Sequence, residues 1–239
     1  GDSFVHGDDV PFQDTWEYAL RDSLERSGHP VEILNFGVGG YGNDQAYLRW
    51  KILGGQYSPD IVVIGFQAEN CKRNLNVIRK FYIRGSSIPF SKPRFVLQED
   101  GELLLVNSPT VEYTELPEIV RGFEGSNLRD YEYFYKPADY RHNWFTDHFK
   151  LFGTFLSAIE YFRDADQRFL ADPDSPEMAL CSAVIEKFVQ EASAQSEVFL
   201  VHLPQQEDVQ RLLRGRGLLY EGMLMELAER FRLIDPADS

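Results

Sequence analysis

The chain opens on Gly1-Asp2-Ser3, followed by Phe4-Val5-His6-Gly7. A serine in a tight turn between small and acidic neighbours can present its Oγ to solvent, which is what a nucleophile needs. The same residue types are ordinary loop formers, so the turn by itself reads equally as a serine capping the helix that follows. Two later segments give it company. Asn35-Phe36-Gly37-Val38-Gly39-Gly40 and Gly65-Phe66-Gln67-Ala68-Glu69-Asn70 each lie at the end of an apolar run. Acyl transfer requires a nucleophile, a base to take its proton and donors for the oxyanion, and these segments offer candidates for the first and the last.

Together the three segments resemble the SGNH (GDSL-type) hydrolases, a family of serine esterases and acyl-transfer enzymes. The resemblance covers about Gly1 to Asn70 in motif detail and the remainder only in its rhythm of strands and helices. It implies Ser3 as nucleophile and an oxyanion hole built from the Ser3 and Gly40 backbone N–H groups and the Asn70 amide. Gly40 follows Asn35 at the family spacing, and a glycine there leaves the substrate carbonyl an open approach. Asp2 is implied to hold the turn by side-chain to backbone hydrogen bonds rather than to act as an acid. The third block departs from the family pattern. Where the family reads Gly-x-Asn-Asp or Gly-x-x-x-Asn-Asp, this chain reads Gly65-x-x-x-Glu69-Asn70. An ionised Glu69 cannot donate to an oxyanion, so Asn70 takes the position by a small shift of register. The competing reading is that Asn70 caps a helix beginning near Cys71. The residues from Glu69 to Tyr82 resemble a bacterial subgroup of the family.

The base is the missing part. The resemblance implies an Asp-x-x-His after the last strand, which is expected beyond Ser239. Asp139-Tyr140-Arg141-His142 has the spacing, but it precedes two strands that should come before such a pair. His148 is a further candidate. His202 follows a core strand and reads as a loop cap, and His6 reads as a turn or pocket-wall residue. The implied reaction is hydrolysis of an ester-linked acyl group, O-acetyl among the candidates, by Ser3, Gly40 and Asn70, with no cofactor and no metal. The expected partner is a small-molecule or carbohydrate ester. Two other readings use the same chain: an O-acyltransferase acting on a polysaccharide, and a non-catalytic binding domain of hydrolase fold.

Gly37-x-Gly39-x-x-Gly42 is also formally a dinucleotide fingerprint. The acid that should read a ribose belongs at the C-terminal end of the next strand, whereas Asp60 precedes Ile61–Ile64. Arg73, Arg79 and Lys80 could hold an anionic group of a substrate, but read first as solvated helix charges.

The elements that must position these residues follow from patterning. Phe12, Trp16, Leu20 and Leu24 recur at four-residue spacing and predict an amphipathic helix, with Gly28 at its C-terminal end. Val31–Phe36, Ile61–Ile64 and Val198–Val201 read as strands, the second covered on both faces. Helices are predicted over 44–54, 176–194 and 219–231, with a further stripe at Leu151, Phe155, Ile159 and Phe162, and Arg232–Ile234 starts a last strand. Alternation of this kind gives a parallel sheet, and the resemblance implies a three-layer α/β/α sandwich with a flavodoxin-like sheet. Residues 80–145 interrupt it as an insertion, with a hairpin at Arg94–Leu97 and Leu103–Val106 around Asp100-Gly101. The insertion, rich in aromatics such as Tyr131, Tyr133, Phe134, Tyr135, Tyr140, Trp144 and Phe145, reads as a lid or an acyl or sugar platform, or equally as a hydrophobic minidomain packed for stability.

At 239 residues with 43% apolar content, one domain with a full core is expected. The motif at the very start predicts that residues preceding Gly1, including a first strand, and a C-terminal piece belong to the protein. A net charge of −14 disfavours nucleic acid and anionic membrane surfaces. No run reaches the ~18 apolar residues of a membrane span. Cys71 and Cys181 are expected to form neither a disulfide framework nor a metal site, which leans towards a reducing, cytoplasmic compartment.

Overall fold

The computed structural model describes residues 1–83, 90–137 and 168–236. Its central sheet is parallel, in the order β1 (Ile61–Phe66), β4 (Glu197–His202), β5 (Leu233–Ile234). The register runs from Ile61 opposite Glu197 to Phe66 opposite His202, and Leu200 lies opposite Leu233. The C-terminal ends of β1 and β4 therefore sit side by side, and the third block leaves the sheet there. Helices flank the sheet. They are α1 (Ser3–His6), α2 (Trp16–Arg26), α3 (Asn43–Ile52), α4 (Ala68–Arg73), α5 (Arg79–Tyr82), α6 (Leu116–Arg121), α7 (Pro176–Ser193), α8 (Gln206–Leu213) and α9 (Glu221–Arg230). Among the described residues no helix is long and apolar enough to cross a membrane.

The long α7 organises the core. Ser175 caps it by accepting from Met178 N at 3.3 Å, and Pro176 takes the first turn, where a missing N–H costs nothing. Its buried stripe, including Met178, Cys181, Val184, Ile185 and Phe188, meets α3, α4, β2 (Arg94–Leu97), β4 and α9. Tyr47, Phe66, Leu200 and Leu227 close the same cluster.

The hairpin β2 (Arg94–Leu97) and β3 (Leu103–Val106) forms as expected, with Gly101 at φ +83° in the turn. The described part of the insertion has its own small core. Phe81, Phe123 and Tyr135 stack with ring centroids 4.6–5.1 Å apart, joined by Val77, Ile78, Leu116 and Leu128.

Several expectations are corrected. Val31–Phe36 forms no strand and enters no ladder among the described residues. β1 is not covered on both faces along its whole length, since Ile61 and Val63 at its N-terminal end stay exposed. In the first amphipathic stretch Phe12 falls in a 3₁₀ turn, and Phe12 and Leu20 are exposed. The buried residue of α2 is instead the polar Glu17. Gly28 does adopt the left-handed conformation (φ +84°) at the end of α2. Cys71 and Cys181 are bonded to each other, tying α4 to α7. Their separation of 110 residues gave no local sign of this, and the pair no longer argues for a reducing compartment. The stripe at 151–162 and the residues Asp139 to His148 lie outside the described residues, as do Trp144 and Phe145.

Candidate functional site

Asp2 is the hub on which the first and third blocks meet. It is 1% exposed. Its Oδ1 accepts from Phe4 N at 3.0 Å and so caps α1, which begins at Ser3. Its Oδ2 accepts from Asn70 Nδ2 and Arg73 Nη1, each at 3.0 Å, and from Gln67 Nε2. Gln67, Asn70 and Arg73 all leave the C-terminal end of β1 on α4 or its cap. The carboxylate thus fixes the serine turn against the edge of the sheet, and the Arg73 guanidinium balances its charge. Arg73 is therefore not the solvated helix charge that the sequence suggested.

The second block closes over the other side of α1. Asn35 Nδ2 donates to Val5 O at 2.8 Å and to Glu17 Oε1 at 2.9 Å, while its Oδ1 accepts from Gly37 N at 2.8 Å. Trp16 Nε1 adds a second donor to Val5 O at 2.7 Å. A Cβ at Gly37 would lie 2.5 Å from His6 N and 2.9 Å from Asp2 O, so only glycine lets these backbones touch. The close approach that this glycine serves is to α1 rather than to a bound nucleotide. Gly39 then passes Ser3, with 3.9 Å from its Cβ position to Ser3 Cβ. Gly40 turns at φ +79°, the left-handed region. The place of its missing side chain is taken by the Arg79 guanidinium, with Nη1 2.8 Å from the Cβ position.

Ser3, Gly39 and Gly40 are thus brought together, and the N–H groups of Ser3 and Gly40 have no acceptor among the described residues. Asn70 is brought to the same hub but is fully engaged. Besides Asp2, its amide donates to Tyr41 O at 3.2 Å, and its Oδ1 accepts from Gln67 N at 2.9 Å, closing the start of α4. Asn70 here braces the turn and caps α4. Glu69 faces away and pairs with Lys72 at 3.4 Å, so of the two block-three candidates it is Asn70 that meets the serine turn.

The histidines divide in the same way. His6 holds Gly37 O at 3.0 Å through Nδ1 and lies 3.2 Å from Asp8 through Nε2, as befits a turn residue. His202 is fully buried at the end of β4, with Nε2 2.9 Å from Tyr220 Oη, which itself donates to Asp208 at 2.7 Å. Its Nδ1 lies 3.1 Å from Asp235 Oδ1, in proximity rather than in an aligned hydrogen bond. His202 is therefore a member of a buried polar chain, and neither of its nitrogens bonds Ser3. Burial, with Asp208 as hydrogen-bond acceptor, pushes the Tyr220 hydroxyl far above its ordinary value.

A cavity of about 310 Å³ opens elsewhere, between the hairpin, α3 and α7, lined by Tyr47, Lys51, Phe95 and Glu186. None of Ser3, Gly40 or Asn70 lines it. Among the described residues no cluster of His, Cys, Asp and Glu has the geometry to hold a metal ion. Comparison with protein-family models, with curated proteins and with solved structures gives no match to this chain. The structure itself establishes a mixed α/β fold with a three-stranded parallel sheet flanked by helices, the third block leaving the end of β1 and holding the serine turn through Asp2.

Proposed function

We propose that the chain is a serine hydrolase of the SGNH type, a three-layer α/β/α sandwich with a flavodoxin-like sheet, acting on an ester-linked acyl group. The observation that carries this reading is the convergence of the three blocks on one point. Asp2 and its donors hold Ser3 beside the Gly39-Gly40 turn, and among the described residues the two N–H groups expected to bind an oxyanion have no acceptor. In this reading Ser3 Oγ attacks the ester carbonyl while its proton passes to a base. The Ser3 and Gly40 N–H groups hold the developing oxyanion. Collapse expels the alcohol, which leaves with that proton, and water then hydrolyses the acyl-serine. The base is an imidazole that the described residues do not place on Ser3. Asn70 serves in the resting arrangement by bracing Asp2, and it would reach the oxyanion only by releasing Tyr41 O.

The test is hydrolysis of p-nitrophenyl acetate by the full-length protein and by Ser3→Ala. Loss of at least about a thousandfold in kcat with the fold retained is expected, as for removal of a nucleophile. Turnover equal in the two proteins, or none in a folded full-length protein, would overturn the reading.

A further inference from the structure

Arg79 is the one part of this region that neither the turn nor the oxyanion hole explains. It begins α5, a short helix tied down by Arg79 N donating to Phe90 O at 3.1 Å. Its side chain lies across Gly40, with Nη1 2.8 Å and Nη2 3.2 Å from the Cβ position. A side chain at position 40 would displace the guanidinium, so the glycine leaves Arg79 this seat. The guanidinium has no carboxylate or other acceptor among the described residues. Two carboxylates of this region are already committed. Asp2 is held by Arg73, and Asp8, near Gly39, faces His6. Partial burial, and after it the adjacent Arg73, lower the Arg79 pKa from its ordinary value. In a protein of net charge −14, a half-buried cation with no partner among the described residues, seated on the glycine that follows the one passing Ser3, calls for an anion.

Resting on the serine-hydrolase reading, we infer that Arg79 is a specificity residue that binds a carboxylate carried by the substrate close to the scissile ester. A guanidinium offers paired N–H donors matched to a carboxylate, and such charge-assisted bonds discriminate by about ten- to a hundredfold. The carboxylate could sit on the acyl side or on the alcohol side of the ester, so both are tested.

The acyl arm compares the p-nitrophenyl hemiester of glutarate with p-nitrophenyl butyrate. The alcohol arm compares O-acetyl-lactate with O-acetyl-lactamide. The full-length protein should favour the anionic member of at least one pair by tenfold or more in kcat/KM. Arg79→Met should bring that ratio near one, and Arg79→Lys should restore part of it, which separates lost charge from lost fold. Direct binding of glutarate by calorimetry to Ser3→Ala, and to Ser3→Ala with Arg79→Met, reads the anion site without turnover. Binding that requires Arg79 sustains the site even where no ester is hydrolysed, in which case only the hydrolase reading fails. Ser3-dependent turnover with equal rates within both pairs overturns the inference and leaves the hydrolase reading intact. Glutarate binding that survives Arg79→Met overturns it as well.

Discussion

A single carboxylate oxygen of Asp2 accepts from Gln67, Asn70 and Arg73, while the other caps α1 through Phe4 N. Asn cannot replace it. Its amide nitrogen would have to face either those three donors or Phe4 N, so a donor meets a donor in both orientations, and the Arg73 charge loses its partner. Asp2→Asn is expected to cost about 3 kcal/mol, the scale for breaking a buried charge pair. It should also misplace Ser3, so esterase activity falls further than stability does. Urea unfolding together with p-nitrophenyl acetate turnover checks both, and a variant with wild-type stability would refute the hub role. At this scale the sequence was informative where spacing is local. The three short motifs at the ends of elements meet, Asn70 through Asp2 and the Gly39-Gly40 turn through its approach to Ser3. Gln67 and Glu17 were not recognisable, and Arg73 and Arg79 read first as solvated helix charges, because their places are set by partners 65 or more residues away (Gln67 with Asp2) or across the second block.

Elements divide by whether their signal is self-contained. The hairpin at Arg94–Leu97 and Leu103–Val106 forms at the expected residues because alternation and an Asp-Gly turn specify it locally. Val31–Phe36 has the same composition signal and no ladder, since a strand exists only through its neighbour. The junction between α4 and the insertion depends on a residue that patterning ignores. Glu132, buried, accepts from Val77 N at 2.7 Å, Ile78 N at 2.8 Å and Phe134 N at 3.0 Å. It thereby organises the segment leading to Arg79. Burial raises the Glu132 pKa, a shift opposed by those N–H groups and by Arg94. Since the folded-state pKa is raised, its contribution to stability is fully present below the unfolded value near 4.5 and is lost as pH rises through the folded value. Glu132→Gln turns an NH₂ towards backbone donors and is expected to cost about 1–3 kcal/mol at low pH. Because only the wild type loses stability as pH rises, the gap should narrow from pH 4 to pH 8. Urea midpoints of the two proteins across that range measure it, and a gap that stays constant or widens would contradict the direction of the shift.

For the whole molecule the decisive covalent link is Cys71–Cys181, which closes a loop between residues 110 apart. It joins α4, whose Asn70 and Arg73 hold the serine turn, to α7, the main support of the core. Asn43 Nδ2 also donates to Cys181 Sγ at 3.6 Å, so α3 is drawn to the same point. Closing a loop of this length restricts the unfolded chain by about 4–5 kcal/mol in the chain-entropy account. A change of that size is a large fraction of the ~5–15 kcal/mol that holds a domain folded. The effect should not be confined to global stability. With α4 released from α7, the Asp2 donors are positioned by β1 and their own helix alone. Reduction with dithiothreitol, or Cys71→Ala with Cys181→Ala, is therefore expected to lower unfolding free energy by about 3–5 kcal/mol. Ser3-dependent turnover should decline at temperatures where the reduced protein is still folded by circular dichroism. Equal unfolding midpoints for oxidised and reduced protein would show that the two helices are held by packing and that the bridge contributes little to either the core or the site.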